Sequence, residues 1–174
     1  MISHNGATIA LSEHISGSEA EFSKLMNEKA KEIGALNTNF ENSNGLDSSC
    51  PSHRTTAKDL ALIGSYAVKI EEFNEISGTQ TDYIEIKNKG RKIELNNTNA
   101  MIFNDFVISG KTGYTENAGH TIVNFSQKNG SNLVTVLLKC GSTAQRREDS
   151  EVPIDWAHDN YKFQVLVHKG FEVM

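Results

Sequence analysis

The stretch FVISGKTGYTENAGHTIVNFSQKNGSNLVTVLLK, residues 106–139, decides the architecture. Three runs rich in β-branched and aromatic residues, roughly 106–112, 120–127 and 133–139, read as strands. Tyr114–Gly119 is a polar, Gly-closed turn between the first two. Lys128-Asn129-Gly130-Ser131 joins the last two, and Asn-Gly accepts the positive φ that a tight hairpin needs. Working outward, YIEIKNKGRKIEL (83–95) alternates apolar and polar residues around Asn-Lys-Gly and predicts another hairpin.

Upstream the period changes from two to that of a helix. Ala7, Ala10, Leu11, His14 and Ile15 recur at helical spacing, and Ser16-Gly17 ends the run. Ser18 with Glu21 makes a capping box for a helix whose stripe is Phe22, Leu25, Met26, Ala30 and Ile33, closed by Gly34. A loop dense in Asn and Ser, NTNFENSNGLDSSCPS (37–52), follows, and Thr56 with Asp59 reopens a helix bearing Leu60, Ile63 and Ala67. Beyond the strands an amphipathic segment from about Ala144 to Tyr161 holds Ile154, Trp156 and Ala157, with Pro153 expected to kink it or to start a turn. Helices, then antiparallel hairpins, then a helix predict an α+β fold with a helical cluster on an antiparallel sheet. Phe22, Phe40, Phe125 and Trp156 are expected in its core.

The chain of 174 residues suits one domain. With 37% apolar and 22% charged residues it has the composition of a globular protein, and no window is apolar enough for a membrane helix. The net charge of −5 is spread along the chain, which gives nucleic acid no basic patch to bind. Met1 is followed by polar Ser3, His4 and Asn5, so no signal peptide is expected. Cys50 and Cys140 read as two separate, mostly buried thiols. The six histidines show no metal-ligand spacing, and Glu71-Glu72 and Glu148-Asp149 read as solvated charge, so neither a metal nor a cofactor is implied.

Lys111-Thr112-Gly113 is the chemically suggestive element. A phosphate loop would need Gly five residues before Gly110, where Asp105 stands, and a helix afterwards instead of a turn. A strand-borne Lys-Thr-Gly facing a carboxylate resembles that of the penicillin-recognising serine enzymes, where it occurs with Ser-x-x-Lys and Ser-x-Asn, and Ser3-His4-Asn5 has the Ser-x-Asn form ahead of a helix. That tripeptide is equally explained as a helix cap.

The surrounding phrases carry more weight. Residues 10–47, then HRTTAKDLALIGSYA (53–67), then ISGKTGYTENAGHTIVNFSQKNG (108–130) closely resemble the D-alanyl-D-alanine carboxypeptidases, the low-molecular-mass penicillin-binding proteins of peptidase family S11. Phe40-x-Asn42-x-x-Gly45-Leu46 and Thr55-Thr-Ala-Lys-Asp-Leu-Ala61 are its most specific phrases. The resemblance runs from Ser3 to about Tyr161, as a carboxypeptidase domain over 1–161 with residues 162–174 starting a possible C-terminal β domain. It implies a penicillin-binding/β-lactamase-like transpeptidase fold, a cell-envelope setting, and a peptidoglycan stem peptide ending in D-Ala-D-Ala as substrate, with β-lactams as further ligands. A class A β-lactamase fits less well, given the distance between the two motifs and the Phe40–Leu46 phrase.

By resemblance, Ser3 relays a proton to the leaving amine and Asn5 holds the substrate amide. Lys111 sustains a positive field, Thr112 meets the terminal carboxylate, and Gly113 lets the substrate backbone lie close. The N–H of Tyr114 is one oxyanion donor, and Arg146 helps hold the carboxylate, Arg147 being its neighbour. The family's nucleophile is the serine of Ser-x-x-Lys, and no serine here has Lys three positions on. Thr55-Thr-Ala-Lys58 has that spacing but belongs to a helix start. The resemblance therefore implies an N-terminally truncated member lacking the Ser-x-x-Lys helix and two strands of a five-stranded sheet. Such a chain is expected not to acylate alone. The alternative is a non-catalytic D-Ala-D-Ala-binding module, or a piece that complements a separate N-terminal fragment.

Overall fold

The computed structural model describes residues 1–47, 49–87, 90–162 and 164. The helical cluster comes first. α1 (Asn5–Ser16) is capped by His4, whose Nδ1 accepts the Ala7 N–H at 3.1 Å, and it ends at Gly17 with φ 81°. α2 (Glu19–Glu32) starts on Ser18, whose hydroxyl accepts the Glu21 N–H. Glu19 reaches the following loop, where one carboxylate oxygen accepts from the Ser43 N–H, the Ser43 hydroxyl and Asn44. Asn27 clamps the same loop by exchanging two hydrogen bonds with the Phe40 backbone, at 2.8 and 2.7 Å. α3 (Ala57–Ala67) is capped by Thr56. Its buried Asp59 accepts from the Asn37 N–H at 2.7 Å and the Thr38 hydroxyl at 2.8 Å. Desolvation pushes that carboxyl up, yet the donors outweigh it and hold Asp59 below the usual carboxylate range.

A short α4 (Glu71–Gly78) follows, with Glu71 and Glu72 in its first turn, where carboxylates suit the helix dipole. The sequence pattern had offered these two only as solvated charge. β1 (Thr81–Ile86) and β2 (Arg91–Asn96) form the expected antiparallel hairpin, with Ile84 opposite Ile93. Its turn residues 88 and 89 lie outside the described residues, as does nearly all of the tail 162–174, expected to start a possible C-terminal β domain. A single 3-10 turn, Ala100–Phe103, leads to β3 (Val107–Thr115), β4 (Gly119–Lys128) and β5 (Ser131–Cys140), an antiparallel sheet in that order. Each strand is longer than its apolar run, because hairpin partners recruit the polar ends into the ladder.

Neighbouring residues of β4 point to opposite faces of this sheet. Ile122 packs with Val107, Met101, Ile102 and the fully buried Ile154 of α5 (Thr143–Asn160). On the other face Phe125 meets Phe73 edge-on at 5.8 Å. A Cβ on Gly64 of α3 would stand 2.9 Å from the Phe125 ring, so helix and strand approach there as only glycine allows.

Two expectations need correction, and α1 adds a finding. Pro153 lies inside α5, which runs from 143 to 160, so it does not start a new turn, and it deprives the Asp149 carbonyl of its i+4 donor. Trp156 is 57% exposed and stacks edge-on with Tyr161 instead of entering the core. In α1 the apolar stripe faces outward, with Leu11 and Ile15 each 62% exposed, whereas Ser12 is buried and bonds back to the Thr8 carbonyl at 2.8 Å.

Candidate active site

Lys111, Thr112 and Gly113 sit in the middle of β3, which is an edge strand among the described residues. Strand parity separates their side chains. Lys111 pairs with Val123 and shares its face with the helical cluster, while Thr112 pairs with Ile122 on the α5 face. Gly113 lies opposite Thr121, whose Oγ1 would be 2.6 Å from an added Cβ, so a side chain there would have to displace the Thr121 hydroxyl.

The start of the chain comes to this strand. Lys111 Nζ donates to Ser3 Oγ at 2.9 Å, across 108 residues of sequence, and also to the Thr112 carbonyl. Lys111 is exposed as a residue, but its ammonium is engaged by these two oxygens. Desolvation, and then the nearby Arg146 guanidinium, lower its pKa from the usual lysine value of 10.5. Ser3 holds φ at 55°, a left-handed conformation that costs a non-glycine residue about 1 kcal/mol or more. Ser3 precedes the cap, His4 turns its ring into the helix start, and Asn5 is the first residue of α1. The Asn5 side chain is exposed.

Arg146 and Arg147 are distinguished by geometry. Arg146, in the first turns of α5, is only 7% exposed and extends Nη1 toward the Thr121 carbonyl, opposite Gly113, at 3.5 Å. Arg147 points outward and pairs with Glu151 at 3.1 Å. The ring of Tyr114 is exposed and stacked on His120, its cross-strand partner, with centroids 4.5 Å apart.

Thus Ser3, Lys111, Thr112 and Gly113 are brought together with Arg146 close by, and Asn5 and Tyr114 flank them. The structure adds residues that the sequence pattern did not single out. Asn97, Thr98 and Asn99 form a polar strap between β2 and the 3-10 turn. Asn97 Nδ2 donates to the Ser77 and Thr79 carbonyls at 2.9 and 2.8 Å. Asn99, fully buried, donates to Asn124 Oδ1 at 2.9 Å and accepts the Met101 N–H at 3.0 Å. Thr98 Oγ1 lies 2.7 Å from Thr112 Oγ1. The Asn-rich run 96–99 ahead of AMIF was the available signal for such a cap. At the far end of β3 the Thr115 hydroxyl donates to Asp47 at 2.6 Å, tying the Phe40–Leu46 loop to the triplet strand.

Beside Lys111 a slot of about 340 Å³ opens between α3 and the sheet. Its walls are mainly apolar, with Leu60, Ile63, Phe73, Val123 and Phe125 leading up to the triplet. A strand at the edge of the sheet among the described residues, a hydroxyl under an ammonium and a buried guanidinium together suit an extended peptide ending in a carboxylate.

The sequence pattern of the D-alanyl-D-alanine carboxypeptidase family, peptidase family S11, matches residues 1–142, and the chain belongs to this family. It is 35% identical to the D-alanyl-D-alanine carboxypeptidase DacF of Bacillus subtilis over 169 residues, 97% of this chain and 43% of that protein. Among solved structures, it resembles penicillin binding protein 5 from Haemophilus influenzae with a TM-score of 0.88 at 30% identity, covering 99% of this chain and 49% of that one. A Listeria monocytogenes penicillin-binding protein in its cefotaxime-bound form matches with a TM-score of 0.77 at 29% identity, over 88% of this chain and 60% of that one. The fold is therefore of the penicillin-binding type, and the chain spans about half the length, or less, of proteins it matches over nearly its whole extent.

Proposed function

We propose that this chain supplies the carboxylate-holding and proton-relaying half of a serine-type D-Ala-D-Ala carboxypeptidase site acting on peptidoglycan stem peptides in the cell envelope. The observation that carries this reading is the 2.9 Å bond from Lys111 Nζ to Ser3 Oγ, which joins the two motifs at one point. The terminal carboxylate of the substrate is held by Thr112 and Arg146, and its backbone lies along β3 against Gly113. Asn5 holds the penultimate amide, and the Tyr114 N–H donates to the developing oxyanion, a contact worth about 3 kcal/mol. Ser3, polarised by Lys111, passes a proton to the departing amine. β-Lactams, which carry a carboxylate beside a reactive amide, fit the same groups.

No serine of this chain is followed three residues later by lysine. The attacking hydroxyl in this reading comes from a segment that seats in the apolar slot beside Lys111, as part of the same polypeptide or as a separate piece. The slot favours this over a binding module that works unaided, because its walls of Leu60, Ile63 and Phe125 suit an apolar occupant.

Incubation of the 174-residue chain with fluorescent penicillin is expected to give no covalent labelling, whereas a D-Ala-D-Ala tripeptide binds reversibly. Labelling abolished by one serine or threonine substitution would place the nucleophile within the chain and overturn the division of the site. The lowered pKa of Lys111 adds a sign. Its ammonium discharges at lower pH than an ordinary lysine, so peptide affinity falls as pH rises, before the usual lysine value of 10.5 is reached.

A further inference from the structure

We infer that Thr98 is a positioning residue whose hydroxyl must turn before Thr112 can donate to a carboxylate. This rests on the reading of Thr112 as a carboxylate partner and follows from counting protons. A threonine hydroxyl has one proton and two acceptor lone pairs. Thr98 Oγ1 donates to the Met1 carbonyl at 3.2 Å and lies 2.7 Å from Thr112 Oγ1. With the Thr98 proton spent on Met1, the short contact between the two threonines is a bond only if Thr112 is the donor. Thr112 then has only lone pairs to offer, and these repel a carboxylate.

Carboxylate binding reverses the chain. Thr112 turns its proton to the ligand, and Thr98 turns its own from Met1 to Thr112. The Met1 carbonyl is not orphaned, because it also accepts the Thr98 N–H at 3.3 Å. Two donors now point one way, from Thr98 to Thr112 to carboxylate, and each polarises the next. The strap fixes Thr98 for this purpose, since Asn97 is tied to the end of α4 and Asn99 to Asn124 of β4. Met1 is two residues from Ser3, so the same reversal removes one of the two bonds from Thr98 to the segment that carries the Lys111 acceptor.

Calorimetric titration of the 174-residue chain with acetylated L-Lys-D-Ala-D-Ala tests this on the wild type, Thr98→Ser, Thr98→Val and Thr98→Ala. The serine variant, which keeps the hydroxyl, is expected to bind like the wild type. The valine variant, with no hydroxyl to hold the Thr112 proton and no bond to Met1 to give up, is expected to bind about five- to tenfold more tightly, as is the alanine variant, which serves should valine disturb folding. Valine or alanine binding no more tightly than the wild type would overturn the role of Thr98 while leaving the carboxylate reading in place. So would a serine variant as tight as valine, because packing and not the hydroxyl would then matter. A wild type that binds no peptide would sink the carboxylate reading itself, and the role of Thr98 with it.

Discussion

On one face of the three-stranded sheet, Val107 and Ile122 are sealed beneath Met101, Ile102 and the fully buried Ile154. On the other, Val123 and Phe125 meet α3 only in part, and a slot of about 340 Å³ remains next to Lys111. The α5 face is made of side chains that fill space, and its worth is measured in stability. The helical face approaches through a glycine and leaves room, and its worth is measured in what it can admit. β3 belongs to both, with Thr112 turned to the sealed face and Lys111 to the open one.

The contrast breaks first at Ile154. Its truncation to alanine is expected to cost about 3 kcal/mol, and calorimetry would register a fall in Tm of roughly 6–12 °C. A loss below about 1 kcal/mol would show that the α5 face is not the closed one. Gly64→Leu probes the opposite face. The new side chain starts 2.9 Å from Phe125 and has the slot to turn into, so about 1–2 kcal/mol is lost, readable as a shifted denaturant midpoint. Lys111→Met leaves stability within about 0.5 kcal/mol and weakens peptide binding at least tenfold, about 1.4 kcal/mol, in the same titration used for Thr98. Equal affinity would remove the ammonium from the site.

The smallest effect concerns the far end of the sealed face. Ser126 Oγ lies 3.0 Å from His158 Nε2, and the buried Nδ1 of that ring has no partner among the described residues. Desolvation, and then the charge of Lys128, lower the His158 pKa, against weaker opposing pulls from Asp155 and Asp159. A depressed histidine favours the folded state while neutral, so its contribution is whole above the unfolded value of 6.5 and drains away as pH falls below it. The Tm of His158→Gln should therefore drop less on acidification than that of the wild type. Parallel curves would remove His158 from the explanation.

The strands, the Asn129-Gly130 turn and the Ser18 and Thr56 caps were legible in the sequence because each depends on neighbours a few residues away. The meeting of Ser3 with Lys111 was legible only through family phrases, since no local signal spans 108 residues. Trp156 was misplaced because residue type alone put it in the core, and Leu11, 62% exposed, shows that periodicity locates a stripe but not the surface it meets. Thr98 was invisible for a different reason. Its part depends on two hydroxyls 2.7 Å apart, and a threonine in an Asn-rich run looks like a cap until its partner is seen.

The left-handed backbone of Ser3 sets stability and chemistry against each other. Glycine would relax that φ of 55° at little cost, and a Ser3→Gly chain should melt no lower than the parent. It would also lose the hydroxyl that meets the Lys111 ammonium, so selection for robustness alone would erode the site from its first residues.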